Sequence, residues 1–221
     1  MEKAINSNGK IIYAEKVPKV TEEKFICPCC KSEVLLKQGD VNVWHFAHKD
    51  LSICDKRYHE NKGEWHRKMQ SQYPEEYREV VIGNRIADVY LPLTNVIIEY
   101  QHSPITSKEI RVRTNDYLTS FDRIKMPKII WVFDETKNDN IEITFYDIKK
   151  QFVKLKWKFA KKYLIDIDLD SPYWLMIMQL PDENYVFVNK YKYQNCKYLG
   201  GILVADLPYL DYELERKEER E

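Results

Sequence analysis

The chain has no net charge to offer a partner: Lys plus Arg and Asp plus Glu stand at 35 each in 221 residues. A molecule balanced in this way exerts no general pull on phosphate, so a role on nucleic acid requires a local basic face. The Lys-rich patches around Lys149 and Lys161 are the candidates for it. Also missing is any apolar run near the length of a membrane span, and the N-terminus has no signal-peptide core. The expectation is a cytoplasmic protein without a membrane partner. No internal repeat, P-loop or dinucleotide fingerprint is found, which removes solenoids and the two commonest phosphate-binding loops. The length suits one domain with a small appendage, or two small domains, and is enough to bury a core without staples.

Cysteine is where the sequence is concentrated. Four of its five cysteines fall between Cys27 and Cys54, which in a cytosolic protein points to metal rather than disulfides. In Phe25–Lys56, Cys27 and Cys30 form a C-x2-C pair with Cys29 inside it, a turn that can present two thiolates to one tetrahedral ion. Val34–Leu36 and Val41–Phe46 read as a hairpin around Gly39-Asp40, followed by His48 and Cys54. The preferred ligand set is Cys27, Cys30, His48 and Cys54, with His45 as substitute and Cys29 least favoured by spacing. The ion would be a structural Zn2+ stabilising a segment too small for its own core. The plain alternative is ordinary buried cysteines and a histidine pair at a strand end. Upstream, Asn8-Gly9 between short apolar runs is a hairpin signal.

The second concentration of signal is Ile82–Ile105, which reads as a β-hairpin with acids inside it. Asn95–Gln101 is a short, β-branched apolar run of the kind that forms a central strand, and a carboxylate there is costly unless it binds something. Alternation puts Ile97, Glu99 and Gln101 on one face, with Ile86, Asp88 and Tyr90 sharing a face of the preceding strand. Pairing brings Asp88 beside Glu99. Two carboxylates held close repel, and a divalent cation is the usual resolution. The competing expectation is an ion pair of Glu99 with Arg85 or Arg111. Before this hairpin, Arg57–Tyr77 reads as a helix from the spacing of Trp65, Met69 and Tyr73, with Gly63 preceding it and Pro74 ending it. After it, Thr106-x-x-Glu109 is a capping box opening a helix that carries Arg111, Arg113 and Tyr117. Ile129–Phe133 is a fully apolar central strand. Ile141–Tyr146, Tyr173–Leu180, Tyr185–Tyr191 and Leu199–Val204 read as further strands, Asp147–Leu164 as a strand-turn-helix, and Glu213–Glu221 as a charged tail.

Glu64-Trp-His-Arg-Lys, Arg85-Ile-Ala-Asp88, Val96–Ile105 and Lys128–Asp134, in that order, resemble the consecutive blocks of the competence protein CoiA-like family, within the PD-(D/E)xK nuclease superfamily. The resemblance runs from about Phe25 to Asp134. It implies an α/β chain: a restriction-endonuclease-like mixed sheet flanked by helices, with a small zinc-ribbon-like N-terminal module. The expected divisions are 1–56 for the hairpin and zinc module, 57–146 for the nuclease core, 147–212 for a sheet extension and 213–221 for the tail.

The implied activity is hydrolysis of DNA phosphodiester bonds by a divalent-metal-dependent nuclease in DNA processing. Asp88 and Glu99 would hold Mg2+ or Mn2+, both served by hard oxygen ligands. Glu64 joins the metal cluster in this family, or else only favours the helix N-terminus. His66 belongs to the recurring pattern and suits proton transfer near neutrality. The superfamily usually has lysine two residues after the second acid; here that position is Gln101, which can orient water but cannot act as a cation or base. His66 or His102, or a second metal, would take up the missing work, with His102 ranked lower because alternation turns it away from Gln101. Arg111 and Arg113 are the candidate phosphate contacts, against the reading of a solvated helix face. The alternative function is a catalytically weak or inactive DNA-binding or adaptor protein that keeps the nuclease fold, and RNA is an alternative substrate.

Overall fold

The computed structural model describes residues 2–19, 21–41, 43–49, 62–136, 141–147, 152–158, 174–180, 184–191 and 199–204. Cys54, the start of the first expected helix, the Lys149 and Lys161 patches, most of the expected strand-turn-helix and the charged tail lie outside the described residues. The chain divides into two compact units, one formed by Met1–Lys62 with Val81–Ile86 and the other by Gly63–Val80 with Ala87–Glu221.

The first unit is an antiparallel sheet of five short strands: β1 (Lys3–Ile5), β2 (Ile11–Tyr13), β3 (Phe25–Ile26), β4 (Glu33–Lys37) and β5 (His45–His48), in spatial order β2-β1-β3-β4-β5. The β1–β2 turn is set by Asn6, whose Oδ1 accepts the amides of Asn8 and Lys10, and by Gly9 at φ +75°. Side-chain capture of local amides plus a residue free of Cβ is what such a turn needs. Ala4, Ala14, Val17, Phe25, Cys27, Val34, Phe46 and Ile86 form its buried cluster. The hairpin expected to reach back to Val41 is shorter. Pairing of β4 with β5 runs only from Val34↔His48 to Lys37↔His45, and Val41 and Val43 are exposed.

The second unit is built on a mixed sheet flanked by two helices. The strands of that sheet are β6 (Arg78–Ile82), β7 (Arg85–Leu91), β8 (Val96–Gln101), β9 (Lys128–Asp134), β10 (Ile141–Asp147), β11 (Phe152–Trp157), β12 (Trp174–Gln179), β13 (Tyr185–Tyr191) and β14 (Leu199–Val204), with the end of β6 and the start of β7 counted in the first unit. Their spatial order is β10-β11-β14-β13-β12-β9-β8-β7-β6. β8, β9 and β12 run parallel; β7 and β13 flank them antiparallel. A parallel pair needs a crossover, and between β8 and β9 the chain makes it through α2 (Ser107–Thr119). That helix opens as the capping box predicts, with Thr106 Oγ1 accepting the Glu109 amide at 3.1 Å. The β7–β8 turn is held by Asn95 at φ +54°, a conformation Asn tolerates. Its side-chain oxygen accepts the Tyr90 hydroxyl and its amide donates to the Lys125 carbonyl.

Helix α1 (Glu64–Gln70) starts after Gly63 as expected but ends well before Tyr77. Pro74 disfavours helical backbone at the residue before it, and the Arg78 guanidinium satisfies the freed carbonyls of Ser71 and Tyr73. Met69, Tyr73 and Tyr77 still bury together on the sheet against Val89, Leu91, Val96, Ile98, Tyr100, Ile130 and Val132. Within that cluster the Tyr100 hydroxyl donates to the Tyr73 hydroxyl at 3.0 Å. Burial pushes the Tyr73 phenol up to about 12 and that of Tyr100 well above its usual value. Tyr100→Phe strands a buried hydroxyl on Tyr73, so it should cost about 1–3 kcal/mol in urea unfolding. Adding Tyr73→Phe should recover most of that loss, and a cycle with no coupling between the two would contradict the pair.

Candidate functional site

In the first unit, the chain reverses through Cys27–Ser32 with two hydrogen bonds: Lys31 N to Cys27 O at 3.0 Å and Cys27 N to Ser32 O at 2.8 Å. Lys31 pays for the tightness of the turn with φ +61°. The knuckle so formed faces β5, where Cys30 Sγ lies 3.1 Å from His48 Nε2. The ligand atoms of Cys27, Cys30 and His48 all fall within 4.8 Å of one another. Tetrahedral zinc separates its sulfur and nitrogen ligands by about 3.3–3.8 Å, so the three fit a single ion. Burial lowers the His48 pKa, which favours the neutral imidazole that a metal accepts. Burial also pushes the Cys27 thiol up, while the amides of Cys30 and Cys29 pull the other way. This group could therefore bind a metal such as zinc. His45 does not join it: three residues from His48 on a strand, it points to the other face, and its Nδ1 meets the Val43 carbonyl at 2.8 Å.

In the second unit, the two acids of the hairpin come together at the end of β8. The β7–β8 ladder runs from Leu91↔Val96 to Val89↔Ile98, so the next register position sets Asp88 opposite Glu99. There the main-chain pairing stops. The amide of Tyr100 donates instead to Asp88 Oδ2 at 2.9 Å. Asp88 Oδ1 faces His66 Nε2 at 2.9 Å, and the Gln70 amide group donates to the Asp88 carbonyl at 2.9 Å, so α1 fixes this residue through both its side chain and its backbone.

Glu99 is held by α2. Its Oε2 accepts Arg113 Nη2 at 2.7 Å, and its Oε1 accepts the Tyr117 hydroxyl. Full burial drives the Glu99 pKa up, the Arg113 guanidinium opposes it, and the charge of Asp88 adds to the rise. That last contribution is the mutual repulsion expected of neighbouring carboxylates. The ion pair foreseen with Arg85 or Arg111 is made by Arg113. α2 buries Ile110, Arg113, Thr114 and Tyr117, spaced along one face, while Arg111 is exposed. Arg113 is 4% exposed, so it braces Glu99 and is not offered to a phosphate backbone. Reading the polar members of the buried stripe, rather than every basic residue of the helix, would have singled out Arg113 and Tyr117.

Gln101 shares the face of Glu99, is 9% exposed, and turns its amide group to the Ser103 carbonyl. Glu64 stands exposed in the first turn of α1. Arg113→Leu leaves a fully buried carboxylate with a hydroxyl as its named donor. It should destabilise the protein by about 3–5 kcal/mol in chemical denaturation. Pairing it with Glu99→Met should recover much of that, and an equal loss in the double variant would sink the ion-pair account.

These geometries can be set beside known proteins. No curated protein and no solved structure matches the chain. The family model described as competence protein CoiA, N-terminal domain, matches residues 11–57. The one described as competence protein CoiA, nuclease-like domain, matches residues 61–195, more than half of the chain. The chain belongs to the competence protein CoiA family.

Proposed function

We propose that this protein is a metal-dependent nuclease that hydrolyses DNA phosphodiester bonds in the cytoplasm, on a restriction-endonuclease-like core. The observation that carries the reading is the break in the β7–β8 ladder, where Asp88 takes the Tyr100 amide and stands at the register position opposite Glu99. A purely structural hairpin gains nothing from two acids there. Asp88 and Glu99 are hard oxygen donors of the kind that Mg2+ or Mn2+ takes. Such an ion, when bound, supplies positive charge to the phosphate and makes water more acidic. The chain's own part is to orient. His66 and Gln70 hold Asp88, Arg113 and Tyr117 hold Glu99, and Gln101 lies next along the Glu99 face to position water or a phosphate oxygen. Arg111, exposed on α2, is the phosphate contact. Glu64, exposed in the first turn of α1, serves as an outer ligand. In the first unit, Cys27, Cys30 and His48, completed by Cys54, hold a structural Zn2+.

A second reading is favoured by one observation: Arg113 and Tyr117 already engage both oxygens of Glu99. With Gln101 in place of the superfamily's lysine, the same fold could serve as a DNA-binding adaptor without cleavage.

Incubation with linear, circular and branched DNA in Mg2+ or Mn2+ separates the two. Asp88→Ala should abolish cleavage and leave DNA binding nearly unchanged; wild-type protein that binds but never cuts establishes the adaptor. Elemental analysis of protein purified without added metal should find one zinc per chain, lost in Cys27→Ser, Cys30→Ser. Undiminished zinc in that variant would remove the assignment.

A further inference from the structure

A second histidine–aspartate pair stands at the same end of the sheet, outside the carboxylate site. His102, the first residue beyond β8, places Nδ1 2.6 Å from Asp134 Oδ2, at the end of β9. Parallel register brings them together: Gln101 pairs with Phe133, so the residues that follow each share a level. The Asp134 side chain is 2% exposed, and its other oxygen accepts the amide and the hydroxyl of Thr136. Every group around that carboxylate is a donor, so Nδ1 of His102 carries the hydrogen. The lone pair of the neutral ring is then on Nε2. With the Asp134 side sealed and the His102 side chain 52% exposed, Nε2 is the atom that looks outward.

The ring is also held from above. Trp65 lies over it with centroids 6.2 Å apart and planes tilted by 32°. Trp65 is itself fixed, its Nε1 donating to Gln179 Oε1 at 2.6 Å, and the Gln179 amide group donating to the Tyr185 hydroxyl at 3.1 Å. The opposite neighbour of Trp65 is His66, 6.5 Å away between centroids and bonded to Asp88. One indole thus separates the imidazole that grips the acid from an imidazole with a free outward nitrogen. His66 has its Nε2 committed to Asp88; His102 does not.

We propose that His102, oriented by Asp134, is the proton acceptor of the hydrolytic reaction, an inference that rests on the nuclease reading above. Its Nε2 takes a proton from water as the water oxygen bonds to phosphorus and the bond from phosphorus to the leaving oxygen breaks. The leaving oxygen departs with the electron pair and gains a proton from solvent. Asp134 stabilises the imidazolium until it, too, returns its proton to solvent. This assigns a chemical role that Gln101 cannot fill. Among the described residues, the titratable groups placed around it are Asp134 from β9 and, across Trp65, His66 from α1, while alternation puts Tyr100 on its face of the chain and Glu99 on the other.

The test uses the full-length protein on DNA in Mg2+ or Mn2+. His102→Gln should lower the single-turnover cleavage rate by about a hundredfold or more, in the range of a positioned base. It should also flatten the acid limb of the pH–rate profile, while DNA affinity measured in Ca2+ is retained. Asp134→Asn should slow cleavage and, in nitrogen NMR of the His102 ring, shift the hydrogen away from exclusive residence on Nδ1. That readout is independent of activity. Wild-type cleavage and an unchanged pH profile in His102→Gln, beside an inactive Asp88→Ala, overturn this inference and leave the nuclease reading intact. A wild-type protein that never cleaves overturns both.

Discussion

The second unit depends on one substitution of hydrogen-bond partners: the Asp88 carboxylate accepts the Tyr100 amide that an uninterrupted ladder would have given to β7. A buried amide must be satisfied, so the carboxylate cannot leave without stranding it. This is what holds an acid at the parting of two strands. It also explains why α1 is needed where it is. With Oδ2 engaged by the strand, Oδ1 takes His66, and Gln70 secures the backbone beneath. The position of Asp88 is over-determined from strand and helix together, as a site that must be rigid requires.

The two helices then divide the electrostatics between them. On the α2 face, Arg113 and Tyr117 compensate Glu99, with the guanidinium 5.9 Å from the Trp131 ring and Trp131 Nε1 donating to Thr114 Oγ1 at 3.0 Å. Burying both charges carries a desolvation cost that such pairing offsets only with good geometry. A hydrophobic pair of the same volume would be an easier way to build a core. Beside α1 the acids Asp88 and Asp134 each meet a histidine, and Trp65 packs against both rings.

Much of this was legible because it is local. The apolar run Val96–Gln101 identifies a central strand, and alternation alone puts Glu99 and Gln101 together. Thr106 and Glu109 state where α2 begins. The C-x2-C turn with His48 gathers as its spacing implies. What the sequence hides is whatever depends on a choice between equivalent local signals. Arg111 and Arg113 look alike until the helix face is known, and His45 and His48 look alike until the strand is paired. Pro74 announces that α1 must end before Tyr77, but not that Arg78 takes up the carbonyls of Ser71 and Tyr73 that follow it. Val41 and Val43 have strand-forming side chains but no partner strand among the described residues, so composition there overstates the hairpin.

His102 and Asp134 show the same limit in a form that matters for chemistry. They are separated by 32 positions, and alternation correctly turns His102 away from Gln101. Alternation does not say what lies on that other face. The answer comes from the register of β8, β9 and β12, whose last residues align as Gln101↔Phe133 and Asp134↔Gln179. Parallel strands that end at one level deliver their next side chains to one place, which is why sheets of this kind use the carboxyl ends of their strands for binding. Antiparallel β7 arrives there by its opposite end, contributing Asp88 from its first half. The meeting of His102, Asp134 and Gln179 is therefore a property of three parallel strands with a common register, and no single stretch of the chain contains it.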